Sequence, residues 1–253
     1  MYMKSLMLAG SLIGVLIIMA AFNNLKDKQA MKKIQTTENS KGFAVLELFT
    51  SEGCSSCPPA DELIEKIQKD NKNRQIYILA FHVDYWDHQG WKDKFSDHKF
   101  SERQRQYASW LGLRTIYTPQ IVINGRTEHV GSDQGPILRT ISRELEQPST
   151  STLALEAKVE AGKLKVEYKG TGEELVLALV ERSAHSNVKA GENSGRSLSH
   201  VQIVRRLQRV DMSSPKNISI DLPKDFKGTG WELIGFVQQR TDGHITAAAR
   251  VDL

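Results

Sequence analysis

Apolar positions along this chain follow two different spacings, and the change comes near residue 150. Residues 43–50 (FAVLELFT) form a short run rich in β-branched and aromatic side chains, which predicts a strand. In ADELIEKIQKD, Leu63, Ile64 and Ile67 fall at i, i+1 and i+4 with charges between them, which predicts an amphipathic helix. Residues 75–83 (QIYILAFHV) are almost wholly apolar and predict a buried strand. Residues 84–102 are aromatic, acidic and without period. Residues 103–111 predict a helix stopped by Gly112. Residues 120–124 predict a short strand ending in Asn124-Gly125, a hairpin turn signal, with a further strand over 127–130. Residues 136–146 predict a last helix. Strands alternating with helices imply a parallel-containing sheet with helices packed on it.

Residues 147–152 (QPSTST) are polar and carry a proline, and they predict a domain boundary. Beyond them LALEAKV, KLKVEYK, ELVLALVER, HVQIVRRLQRV, NISIDL, WELIGFVQQR and ITAAARV are short segments of alternating or continuous apolar character. About seven short strands without helices predict an antiparallel β-sandwich of about 100 residues. The expected organisation is an α/β domain over 42–148 followed by an all-β sandwich domain over 152–253.

Residues 6–22 (LMLAGSLIGVLIIMAAF) are almost entirely apolar, follow Lys4, and give way to a Lys-, Gln-, Asn- and Thr-rich stretch over 23–40. This predicts an export signal over 1–22, cleaved or kept as an apolar anchor helix, and a flexible linker over 23–41. Met19 fits a cleavage site poorly, and the absence of a following cysteine excludes a lipoprotein. The lysines after the apolar run favour a cytoplasmic body if that helix is retained.

Charge sharpens this reading. The chain of 253 residues carries +4, and residues 1–41 hold six lysines against Asp27 and Glu38, which accounts for all of it. The remainder is neutral, so the basic balance is no argument for nucleic acid as a partner. With 40% hydrophobic and 25% charged residues, the composition is that of a globular protein.

The chain has two cysteines, Cys54 and Cys57, in one Cys-Ser-Ser-Cys. No others are present to form a structural disulfide framework. The pair lies between a predicted strand and a predicted helix. A helix N-terminus stabilises a thiolate through its free N–H groups and dipole, and a second cysteine three residues on can resolve a mixed disulfide formed by the first. Pro58 and Pro59 suit a first helical turn. Structural zinc would need a second ligand pair, and the histidines show no matching cluster, although His82 with Asp84 is an alternative. Thr118-Pro119, just before a strand, matches the place where a thioredoxin fold carries a cis-proline facing its disulfide. Thr118 would there offer backbone groups to an extended peptide.

VLELFTSEGCSSCPPADELI, FHVDYWDHQGWKDKFS, RQRQYA, YTPQIVINGR and GENSGRSLSHVQIVR together resemble the bacterial domain-of-unknown-function 1223 family, within the thioredoxin-like superfamily. The resemblance spans nearly all of 43–253. It implies a thioredoxin-like α/β domain, an exported protein and a thiol–disulfide function without a stated substrate. It also implies that Cys54 is the nucleophile, Cys57 the resolving thiol, and Pro119 the cis-proline with Thr118 before it. Members of the superfamily often place a buried acid six residues before the first cysteine. Here that position is Leu48, and Glu47 precedes it, on the other face of a strand. Glu47 is therefore either a proton-transfer group or a strand carboxylate satisfied by a helix or an arginine.

The loop HVDYWDHQGWKD concentrates His82, Asp84, Tyr85, Trp86, Asp87, His88, Trp91 and Asp93 beside the expected cysteine site. Trp86, Asp87 and their neighbours suit a docking surface, and Asp84 suits a proton acceptor for Cys57. Arg103 and Arg105 are expected to be solvated or to pair with these acids. Residues 191–196 (GENSGR) lack the Lys-Ser/Thr of a phosphate loop and predict a turn between strands, with His200 facing the cleft between the domains.

The function expected is an exported thiol–disulfide oxidoreductase, periplasmic or otherwise extracytoplasmic. Its partner is a protein thiol or disulfide, without cofactor, resident metal or nucleic acid, and with membrane contact through the N-terminal helix if that is uncleaved. Two alternatives remain: a soft-metal (copper) binding protein or chaperone using the two thiolates, and a non-catalytic interaction module.

Overall fold

The computed structural model describes residues 42–71, 74–213 and 218–253. The expected signal or anchor over 1–22 and linker over 23–41 lie outside the described residues. Among the described residues no helix is long and apolar enough to cross a membrane.

The chain runs β1 (Ala44–Thr50), α1 (Pro58–Asp70), β2 (Ile76–His82), a 3-10 turn (Asp84–Trp86), α2 (His98–Trp110), β3 (Gln120–Ile123), β4 (Thr127–Val130) and α3 (Gln134–Glu146). Seven strands follow: β5 (Leu153–Glu160), β6 (Lys163–Gly170), β7 (Glu174–Asn187), β8 (Ser197–Asp211), β9 (Ile218–Asp221), β10 (Trp231–Gln238) and β11 (Ile245–Asp252). Pro58 and Pro59 occupy the first two positions of α1, where a missing N–H leaves no hydrogen bond unmade. Helix α2 begins at His98 rather than Arg103, because the Asp97 side chain caps it by accepting from the Lys99 N–H. Asn124 and Gly125 both have positive φ, 47° and 70°, and turn the β3–β4 hairpin.

The expectation of a thioredoxin-like α/β domain followed by a separate antiparallel sandwich is incorrect. Eight strands form one mixed sheet in the order β11-β10-β7-β8-β2-β1-β3-β4, and only β5, β6 and β9 form a second, smaller sheet. The joint is β2, which runs parallel to β1 on one side and to β8 on the other, pairing at Ala80 with Ile203. Strand β7 shows why. After Glu174 its sequence LVLALV is apolar at six successive positions, and all of them are buried. Val176, Ala178 and Val180 pack with Phe49, Phe81 and Tyr107. Leu175, Leu177 and Leu179 pack on the opposite face with Leu155, Leu164 and Val166 of the small sheet. A strand covered on both faces loses the alternation of a sandwich strand.

Alternation along β1 fixes what faces the site. Ala44, Leu46 and Leu48 pack with Ile64 of α1 and Ile137 of α3. Val45 and Phe49 point the other way, toward Phe100 and Tyr107 of α2. Glu47, odd-numbered, lies on the α2 face.

Candidate functional site

Cys54 and Cys57 are joined in a disulfide, with Cα atoms 5.4 Å apart. Cys57 caps α1, and its carbonyl accepts from the N–H groups of Ala60 and Asp61 at 2.9 and 3.2 Å. The Thr118 hydroxyl donates to Cys54 Sγ at 3.3 Å, and Ser56 Oγ lies 3.4 Å from the same sulfur. The Trp86 indole N–H donates to Thr118 Oγ1 at 2.8 Å, which aims that hydroxyl. The Thr118–Pro119 peptide is cis. These groups suit a thiolate on Cys54 once the disulfide is reduced, since a helix N-terminus and hydroxyl donors both favour the anion.

Both cysteines are 0% exposed. The cover comes from the β7–β8 turn. The Asn193 side-chain amide, itself fully buried, donates to the carbonyls of Glu52 and Cys54, each at 2.9 Å. Arg196 holds the amide oxygen of Asn193 at 2.9 Å. The Glu192 carboxylate accepts from the Ser55 N–H at 3.1 Å, and the Ser55 hydroxyl, with this N–H second, lowers the pKa of that exposed acid. This clasp closes the cysteine loop by hydrogen bonds rather than apolar packing. Replacing Asn193 by alanine takes this donor from the Glu52 carbonyl, while the Cys54 carbonyl keeps the Cys57 N–H at 3.2 Å, and the lost bonds weaken the closed state by about 1–3 kcal/mol. The disulfide of the Asn193→Ala protein is therefore expected to be reduced by a small phosphine about 10–100-fold faster. Alkylation and gel shift after timed phosphine pulses measure this, and an unchanged rate contradicts the clasp.

Behind the disulfide lies a buried titratable cluster. Asp61 stands one helical turn after Cys57, and its Oδ1 accepts from the Thr50 hydroxyl at 3.3 Å. His200 of β8 is 3.8 Å from Asp61 through Nδ1 and 3.5 Å from Glu52 through Nε2, ion-pair distances with no hydrogen bond on either ring nitrogen. His82 and His200 meet edge to face at 4.9 Å, and His82 Nδ1 lies 2.6 Å from Asp93 Oδ2. Asp93 also accepts from the N–H groups of Glu52 and Phe95, both at 2.9 Å. Glu52 Oε2 accepts from the Trp91 indole at 2.7 Å. Burial pushes the Asp61 carboxyl up to about 7, against the opposing pull of His200 and Thr50. For Glu52 burial opposes ionisation, but contacts with His200, Ser186 and Trp91 win and the pKa falls. Asp93 is lowered likewise, burial being outweighed by His82 and two backbone N–H donors. Among the described residues no group of three or more His, Cys, Asp or Glu is arranged to hold a metal ion.

The family model described as a protein of unknown function (DUF1223) matches residues 45–238. The chain belongs to the DUF1223 family. Protein AGR_C_4864 from Agrobacterium tumefaciens is similar in structure, 28% identical, with a TM-score of 0.62 over 82% of this chain and 93% of that one. HBP35 of Porphyromonas gingivalis shares the fold at 15% identity, with a TM-score of 0.58 over 86% of this chain and 77% of that one. No curated protein matches the chain.

In this DUF1223 protein the residues expected to form the site are only partly brought together. Cys54, Cys57, Thr118, Pro119 and Trp86 converge. His82 is buried behind them against Asp93. Glu47 is directed away, into a buried pair with Arg103, whose Nε is 2.5 Å from Oε2. Asp84 lies against the first turn of α2, bound to the Ser101 hydroxyl and to His98 Nδ1 at 2.9 Å; burial is outweighed by these bonds and its pKa falls. Asp87 holds the loop by accepting from the Asp93 N–H and the Ser96 hydroxyl, at 3.2 and 2.7 Å. Arg103, expected at the surface or among the loop acids, is buried. Sequence reading missed Glu52, Asp61, Glu192 and Asn193 as site residues, and had Asp93 only as one of the loop acids. Asp61 carried a signal, being a charge on the otherwise apolar face of α1 that buries Ala60 and Ile64. Glu192, Asn193 and His200 reach the cysteines only because β8 joins the sheet beside β2.

Proposed function

We propose that this protein is a thiol–disulfide oxidoreductase whose reactive group is the Cys54–Cys57 dithiol. The supporting observation is the disulfide at the N-terminus of α1 with the Thr118 hydroxyl on Cys54 Sγ. In the reduced protein the Cys54 thiolate attacks a substrate disulfide. A Cys54–substrate disulfide forms and one substrate thiolate leaves. The Cys57 thiolate then attacks Cys54 Sγ, releasing the second substrate thiolate and closing the protein disulfide. Two electrons pass from protein to substrate, and the reverse sequence oxidises a substrate dithiol. The substrate class proposed is a protein disulfide or dithiol, and the location extracytoplasmic, where such bonds persist. The apolar run at 6–22 and the family's export habit support that location.

The complete burial of both sulfurs favours a second reading, a redox switch without turnover. A single experiment separates the two. Reduced Cys57→Ser protein, incubated with insulin, is expected to accumulate a covalent adduct through Cys54 that dithiothreitol releases. The unsubstituted reduced protein is expected to turn over without accumulation. No adduct and no turnover on insulin, with the disulfide still forming and breaking in the unsubstituted protein, leaves the switch.

A further inference from the structure

Resolution of the mixed disulfide requires a thiolate on Cys57, and Cys57 is buried. Its proton therefore needs a buried acceptor and a way out. Asp84 is occupied at the start of α2, and Glu47 is on the far face of the sheet.

Asp61 meets both needs. Cys57 adopts helical φ and ψ, −78° and −36°, so its side chain and that of Asp61, at i+4, lie on one face of the first turn. Asp61 is buried, with Thr50 Oγ1 as its hydrogen-bond donor. Beside it, His200 is buried with no hydrogen bond of normal geometry on either ring nitrogen, which leaves both nitrogens directed at the acids they approach. The same ring approaches Asp61 through one nitrogen and Glu52 through the other, and Glu52 is tied to Trp91, which is only half-buried. One imidazole thus bridges an acid beside the resolving cysteine and a second buried acid, Glu52, that is tied to the half-buried Trp91.

We propose that Asp61 accepts the Cys57 proton during resolution and that His200, supplied by the C-terminal half, relays it to Glu52. The proposal rests on the oxidoreductase reading. The proton leaves Cys57 Sγ for the Asp61 carboxylate. The resulting thiolate forms the bond to Cys54 Sγ as the Cys54–substrate bond breaks. The departing substrate thiolate takes its proton from solvent, and Asp61 returns its own through His200 and Glu52. Within the cluster, Asp61 is faced by Thr50, Glu52, Asp93 and His200, and His200 in turn by His82. An acid held to about pH 7 in this setting is poised to act as a base near neutrality.

The test uses the reduced full chain and an aromatic disulfide that releases a coloured thiolate, followed by stopped flow. The first thiolate appears as Cys54 forms the adduct, and the second as Cys57 resolves it. In the unsubstituted protein the second phase should quicken as pH rises through about 7. In Asp61→Asn and His200→Gln the second phase should be about a hundredfold slower at pH 7.5, with the first phase unchanged. The deficit should vanish near pH 10, where Cys57 ionises directly. Unchanged second phases, or a slowing equal at both pH values, overturn the relay. Absence of the first phase instead refutes the oxidoreductase reading.

Discussion

Arg103→Met is expected to lower the unfolding free energy by about 3–5 kcal/mol, because it leaves the Glu47 carboxylate buried and unpaired. Both side chains are nearly inaccessible, at 3% and 0%. The guanidinium grips Glu47 through Nε at 2.5 Å and Nη2 at 2.8 Å, and reaches Gln238 Oε1 at 3.3 Å and the Tyr107 hydroxyl at 3.0 Å. Tyr107 also donates to Glu47 and accepts from Gln238. Burial disfavours the Arg103 charge, yet Glu47 outweighs it and the arginine pKa rises; burial likewise drives Tyr107 well above its usual value. Helix α2, strand β1 and strand β10 therefore meet at one ion pair. Removing both charges in Glu47→Leu with Arg103→Met should restore much of the loss, since an apolar pair needs no partner. Urea denaturation of the three proteins measures this. A single-variant loss under about 1 kcal/mol would show that the pair contributes little.

That same ion pair shows how far the sequence could be read. The strand periodicity of residues 43–50 was legible, and with it the one-residue offset that turns Glu47 away from Leu48's face. The partner was not, because Arg103 lies 56 residues away and helix α2 starts before the charged stretch that suggested it. Local turns and periods identified each strand of the C-terminal half. Their assembly depended on a single pairing, Ala80 with Ile203, for which no local pattern exists. The continuous apolar run of β7 did hold the information, since a run buried on both faces cannot be half of a plain sandwich.

The site divides in the same way. Cys54, Cys57, Thr118 and Pro119 follow from short motifs whose chemistry is local. The clasp of Glu192 and Asn193 and the ring of His200 arrive from a hairpin more than a hundred residues downstream, on β7 and β8. The disulfide is thus built by the N-terminal segment and enclosed by the C-terminal one. Deleting the C-terminal half removes the Asn193 amide from the cysteine loop and the His200 ring from beside Asp61, so that half completes the surroundings of the disulfide.

Asp61→Asn is expected to stabilise the protein at pH 8 by up to about 4 kcal/mol, with almost no effect at pH 4. The native Asp61 carboxyl holds its proton to about 7, whereas the unfolded chain releases it near 3.8. Between those values the native state carries the extra proton, so raising the pH drains stability from the fold, and above about 7 the loss is complete. Asparagine keeps an acceptor for the Thr50 hydroxyl and never ionises. Glu52 and Asp93 shift downward instead, so they add stability above the ordinary carboxylate range and lose it on acidification. Their window lies below that of Asp61, and the difference between variant and parent cancels them. Thermal melts from pH 4 to 8 should therefore diverge, with the variant ahead by on the order of 10 °C at the upper end. Parallel curves would mean that Asp61 ionises as freely in the fold as out of it. A protein that keeps so costly an acid one helical turn from Cys57 carries a stability deficit at neutral pH, the trade expected where a buried carboxyl serves chemistry rather than the fold.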